Sequence, residues 1–201
     1  MKVYVSKSGV NCGPCSLINM IGLKGNKKLE NKLSELGRMK PFYASDYTSF
    51  LIWGKKYNVN FLVYTSSKKL NDTMFELMFF YEKTPKHLQN IYKKQANARI
   101  AKINKRFAPK IKILKNPVKK LNELLNKGHK IAVLVSDFYL KEKRSPVPHW
   151  IVCFKKSGNN YYFMDSARGL TILSKESLSK GFKINKKQGF YPQLVAYKAK
   201  V

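Results

Sequence analysis

Cys12, His149 and Asp165 have the types and surroundings that covalent acyl chemistry needs. A thiolate attacks a carbonyl, an imidazole carries the proton between nucleophile and leaving group, and a carboxylate fixes the imidazole's tautomer. Cys12 stands where a loop gives way to a helix-like run, in Asn11-Cys12-Gly13-Pro14-Cys15. The first turn of a helix carries N–H groups without partners and a positive partial charge, and both favour thiolate over thiol. Gly13 lets a substrate approach the backbone closely, and Pro14 suits the first helical turn. The backbone N–H of Cys12 is thereby placed to face an oxyanion.

The base and its partner require a hairpin. His149 follows Ser145-Pro146-Val147-Pro148 and opens the apolar run Trp150-Ile151-Val152-Cys153-Phe154. Lys155 to Asn160 reads as a turn, and Tyr161-Tyr162-Phe163-Met164 as the return strand, ended by Asp165. Sixteen residues separate His149 from Asp165. In a hairpin of that length the start of one strand lies beside the end of the other, so the two side chains become neighbours at one edge of a sheet.

The remaining elements form the scaffold. Residues 3 to 5 read as a short strand. An apolar helix runs from Cys15 to Ile21 and ends at Gly22 and Gly25, and Leu29, Leu33 and Leu36 continue as a second helix to Gly37. Ser45-Asp46-Tyr47-Thr48-Ser49 supplies N-cap residues for a third helix through Trp53. Asn60 to Tyr64 and Ile131 to Val135 read as strands, the latter central, and Leu194 to Tyr197 as the strand that closes the sheet. Helices first and an antiparallel sheet after them make an α+β domain. One domain of 201 residues is expected, with a basic helical insertion at about 66–120. That stretch opens with the apolar patch Phe75 to Tyr81. Lys83 to Asn122 then holds 13 Lys and Arg with no acid, and Leu88, Ile91, Tyr92, Ala96, Ile100 and Ile103 mark one helical face. Val118 to Leu125 reads as a further short helix, ended near Gly128.

The formal net charge of +29 suits an acidic protein or a nucleic acid as partner, carried by residues 83–120. Thirty-five of the 40 cations are lysine, the weaker residue for bidentate phosphate recognition. The same composition also follows from an AT-rich genome, so both readings stand. Cys12, Cys15 and Cys153 are too few for a disulfide framework or a four-thiolate zinc site, and His87, His129 and His149 lack ligand spacing, so no metal and no cofactor is expected. No apolar run reaches the ~18 residues of a membrane span. Met1 to Lys7 contains no secretory apolar region, so a cytoplasmic location is expected, with delivery as an effector or viral protein compatible.

Asn11-Cys12-Gly13-Pro14-Cys15-Ser16-Leu17 resembles the nucleophile motif of the bacteriocin-processing peptidases, papain-like domains known from peptide-exporting transporters and from stand-alone relatives. Pro148-His149-Trp150-Ile151-Val152 and Tyr161 through Gly169 resemble the same family's His-strand and Asp-loop. The resemblance implies a papain-like fold and a cysteine peptidase acting on peptide or isopeptide bonds, with Cys12 as nucleophile, His149 as base and Asp165 as its orienting partner. Two features depart from the family. It places a Gln six residues before the nucleophile, where this chain has Ser6, whose hydroxyl is then the expected oxyanion donor beside the Cys12 backbone. The 137 residues between Cys12 and His149 also exceed the minimal family domain, and the basic stretch accounts for the excess. Trp150 and Arg168 are the candidate substrate contacts, with core packing and support of the Asp165 loop as their structural alternatives. Three other functions use the same residues: acyl transfer, deamidation or transglutamination at the same thiol; an inactive scaffold that binds an acidic partner; and a Cys12-Gly13-Pro14-Cys15 thiol-disulfide oxidoreductase.

Overall fold

The computed structural model describes residues 3–8, 11–136, 148–187 and 189–199. Met1, Lys2 and the Ser145-Pro146-Val147 approach to His149 lie outside the described residues. Seven strands form one sheet: β1 Phe61–Thr65, β2 Ile111–Ile113, β3 Lys130–Ser136, β4 Pro148–Ser157, β5 Asn160–Asp165, β6 Gly169–Ser174 and β7 Gln193–Tyr197. Their spatial order is β2-β1-β7-β3-β4-β5-β6. The architecture is α+β, as expected, but the sheet is mixed, because β1 pairs with β2 in parallel. β7 does not close the sheet. It lies inside it, antiparallel to both β1 and β3, which explains why Leu194, Val195 and Ala196 are all buried.

Seven α-helices accompany the strands among the described residues: α1 Cys12–Ile21, α2 Lys27–Gly37, α3 Tyr47–Tyr57, α4 Asp72–Tyr81, α5 Lys86–Arg106, α6 Pro117–Asn126 and α7 Lys175–Lys187. Their boundaries follow local chemistry. α1 stops at Gly22, whose φ of 74° is a left-handed conformation that suits glycine. α3 starts in a capping box: the Asp46 side chain accepts from Thr48 N–H, and Ser49 Oγ bonds the Asp46 backbone N–H.

Two apolar layers sandwich the sheet. One holds α1, α2 and α3 against alternate strand residues such as Ala132, Leu134, Val152 and Val195. The other holds α6 and α7 against Ile131, Val133, Ile151 and Phe163. A third cluster joins α4 and α5 to Met39, Phe42 and Phe190. The basic stretch is helical, as its periodicity predicts, and it also supplies β2 and the buried Ile111 and Leu114. α5 buries Ala96, Ile100 and Ile103 but leaves Ile91 exposed, so the predicted face holds only over its second half.

Residues 3–6 are not a strand. The Tyr4 N–H donates to Asn19 Oδ1 at 2.7 Å and Asn19 Nδ2 donates to the Tyr4 carbonyl at 2.9 Å, so a side-chain amide on α1 takes the place of a neighbouring strand. α2 is also rotated from its leucine pattern: Glu30, Leu33, Ser34 and Gly37 face inward, while Leu36 is exposed.

Candidate active site

The nucleophile helix is tied to the His strand. α1 packs on β4, and Ser16 Oγ donates to the Trp150 carbonyl at 3.0 Å. On the hairpin, Asp165 lies opposite Ile151, so His149, two residues earlier, is its diagonal neighbour on the same strand face. His149 Nε2 lies 2.8 Å from Asp165 Oδ1. The ring's other nitrogen, Nδ1, is the one left for Cys12, and the Cys12 thiol, in the same cleft, feels the imidazole's charge. The structure thus brings together the three residues that the sequence singles out.

Electrostatics shift both Cys12 and His149 toward their charged forms. Burial opposes a Cys12 thiolate, but the hydrogen bond and charge of His149, with the backbone N–H groups of Trp150 and Gly13, outweigh it and lower the thiol's pKa. Burial likewise opposes an imidazolium, yet hydrogen bonds to Asp165 and Cys12 and their negative charges raise His149 to about 10. Asp165, fully buried, would be pushed up by desolvation. Its hydrogen bond to His149, the His149 charge, the Ala167 N–H and Arg168 instead bring it down to about 2. The Ala167 N–H donates to Oδ1 at 2.7 Å, and Arg168 Nη1 to Oδ2 at 2.5 Å. An ionised Asp165 accepts from Nε2–H, which fixes the tautomer and leaves Nδ1 to exchange a proton with sulfur.

Of the candidate substrate contacts, Trp150 is among the residues that line the cleft with Cys12 and His149, and Arg168 is not. Trp150 is 1% exposed, its ring packs on Phe50, and its Nε1–H donates to the Ser45 carbonyl at 2.9 Å. It is core that positions the Ser45 backbone. Arg168 is committed to Asp165, because the buried carboxylate oxygen needs a donor. Ser6 does line the cleft with Cys12, but its hydroxyl donates to Glu30 Oε2 at 3.2 Å. A hydroxyl has one proton, so in this arrangement the Ser6 proton is directed to Glu30 and not into the cleft.

Glu30, which sequence reasoning passed over, organises the wall beside the nucleophile. It is fully buried, and it accepts from Tyr4 Oη at 2.6 Å, Lys7 N–H at 2.7 Å and Ser8 N–H at 3.2 Å. Desolvation opposes its charge, but these donors outweigh it and lower its pKa. The signal was available: an acid inside a helix at i, i+3, i+4, i+7 spacing with Leu33, Ser34 and Gly37.

Cys15, one turn on from Cys12 in α1, is fully buried, and burial, with the Glu30 charge, pushes its thiol up. Cys153 is also buried and raised. All three cysteines are free thiols. Among the described residues no group of three or more His, Cys, Asp or Glu is placed to hold a metal ion.

Cys12 and His149 open into a cleft of about 650 Å³, with Asp165 buried behind the imidazole. Its far wall is α4, which presents Met74, Leu77, Met78 and Tyr81 at helical spacing, capped by Glu82. The part of the basic stretch that reaches the cleft is therefore apolar, not its lysines. Burial raises the Glu82 carboxyl, against the Tyr43 N–H and the Arg38 charge. No helix among the described residues is long and apolar enough to cross a membrane. Set against known proteins, the chain matches no family model and no curated sequence.

Proposed function

We propose that the protein is a papain-like cysteine peptidase that cleaves peptide or isopeptide bonds through Cys12, His149 and Asp165. One observation carries the reading: the buried Asp165 carboxylate holds His149 at 2.8 Å, and the same imidazole shares a cleft with the first-turn thiol of Cys12, whose pKa it lowers. In this reading the Cys12 sulfur attacks the substrate carbonyl, and the C=O π electrons move onto oxygen, where the first-turn N–H groups of α1 stabilise the charge. His149 gives its proton to the leaving amine as the C–N bond breaks. It then takes a proton from water, whose oxygen attacks the thioester and releases the acid and the thiolate. The resemblance to the bacteriocin-processing peptidases supports a peptide substrate, and the cleft between α1 and α4 offers apolar side chains, Met74, Leu77 and Met78, for one to contact. Thioesters also accept amines, so acyl transfer to an added amine is the competing outcome at the same sulfur.

The test is incubation with a degenerate peptide mixture, read by mass spectrometry, beside the Cys12→Ala variant. New N-termini that appear with the native protein and vanish with the variant are expected. Amine-adduct products without hydrolysis point to a transferase. No product in either sample, with Cys12 unreactive, overturns the reading.

A further inference from the structure

A second cavity, of about 710 Å³, opens between α6 and α7 on the sheet face opposite α1. Five lysines ring it: Lys115, Lys119, Lys175, Lys183 and Lys186, all exposed. Among the described residues none of the five forms an ion pair within 4 Å. The acids nearby are few. Glu123 lines the cavity but is bonded to Lys120, and Glu176 sits beside Lys175. The base of the cavity is apolar, built from Leu114, Pro117, Val118, Phe182 and Pro192.

We propose that this cavity binds an acidic peptide segment that carries apolar side chains. Charge sets the first requirement, since five unneutralised cations around one mouth attract a polyanion. The apolar base sets the second, because a purely ionic ligand would leave it wet. Nucleic acid fits less well. The cavity's one ring, Phe182, is 5% exposed and offers no face for a base to stack on. Its cations are all lysine, whereas bidentate phosphate recognition favours arginine. A volume of this size is that of a side-chain-binding pocket and not of a duplex channel. The segment before β7 contributes to both sites: Pro192 lines the cavity, and Phe190 and Gln193 line the cleft.

The binding is independent of the chemistry at Cys12, so it is measured on the full-length Cys12→Ala protein. The probe is a fluorescein-labelled peptide alternating Glu and Leu, read by anisotropy, with a Gln-for-Glu peptide and a Ser-for-Leu peptide as controls. Lys175→Gln/Lys183→Gln/Lys186→Gln is expected to weaken binding by about tenfold or more, and added salt to weaken it steeply. Lys93→Gln/Lys94→Gln/Lys102→Gln removes the same charge from α5 and is expected to change affinity by no more than about twofold, since charges beyond a Debye length are screened. Equal losses in the two triple variants would reduce the site to unspecific charge and overturn the proposal. So would equal binding of either control peptide, or a single-stranded oligonucleotide that displaces the peptide at lower concentration than unlabelled peptide does.

Discussion

Asp165 and Arg168 form a buried clasp behind the base: Arg168 Nη1 donates to Asp165 Oδ2 at 2.5 Å, while Oδ1 of the same carboxylate holds His149. The clasp makes Arg168 a positioning residue at one remove from the chemistry. Arg168→Ala leaves Oδ2 buried without this donor. It is expected to cost about 1–3 kcal/mol in urea unfolding. It should lower kcat more than it raises KM, because no substrate contact is lost. An unchanged kcat with a raised KM would instead mean that Arg168 holds substrate.

The same carboxylate sets an acid limit. Asp165 lies near 2 in the folded protein, below its ordinary value of 3.8. A depressed folded pKa stabilises above the unfolded value, and that contribution is lost as pH falls from about 4 through 2. It amounts to about 2 kcal/mol, the size expected for a shift of this kind. His149 runs the other way. Its pKa is raised to about 10 from 6.5, so its contribution is complete below 6.5 and is lost as pH rises through 10. Unfolding free energy of the native protein relative to Asp165→Asn is expected to be largest between pH 4 and 6.5 and to shrink at pH 3 and at pH 10. A difference that stays flat from pH 3 to 10 would contradict the ionic pair.

Gly13 tests the seat of the nucleophile. A Cβ there would lie 2.6 Å from Ser45 Cβ, and Ser45 is held through its carbonyl by the buried Trp150. Gly13→Ala is expected to destabilise by about 1–3 kcal/mol, as overpacking does. It should also slow alkylation of Cys12, since the first turn of α1 must move. Alkylation at the native rate would show that the turn has slack.

Glu30→Ala strands the Tyr4 hydroxyl and the Lys7 and Ser8 N–H groups. A loss of about 3 kcal/mol is expected, with residues 3–8 becoming sensitive to proteolysis before the rest of the chain. Glu30→Gln keeps two acceptor sites and should recover part of the loss. Equal losses for both would point to the charge and not to the hydrogen bonds.

The trio of Cys12, His149 and Asp165 was legible in the sequence because hairpin geometry and a helix start are local facts. The elements that frame it were less so. α7 has a Gly181 inside it and few apolar residues, Leu178 and Phe182 among them, so its period is faint. β6 turns Leu170 and Ile172 outward at 58% and 52% exposure, which breaks the rule that apolar residues point inward. β2 has three residues, too few for any alternation. The expectation for Ser6 as an oxyanion donor rests on the family resemblance, which puts a Gln at that position. The Ser6 hydroxyl goes to Glu30, a partner 24 residues away that no local pattern specifies. Trp150 shows both of its expected features: its ring packs in the core beside Phe50, and the residue is among those that line the cleft.

The central claim is that His149 makes Cys12 a thiolate. The most direct measurement is the rate of iodoacetamide labelling of each cysteine at pH 6, by mass spectrometry, in the native protein and in His149→Ala. An ordinary thiol near 8.5 is less than about 1% ionised there. The account predicts that Cys12 labels far ahead of the buried Cys15 and Cys153, and that His149→Ala slows Cys12 by about tenfold or more while leaving the other two unchanged. Equal labelling of the three, or a Cys12 rate indifferent to His149→Ala, would contradict it.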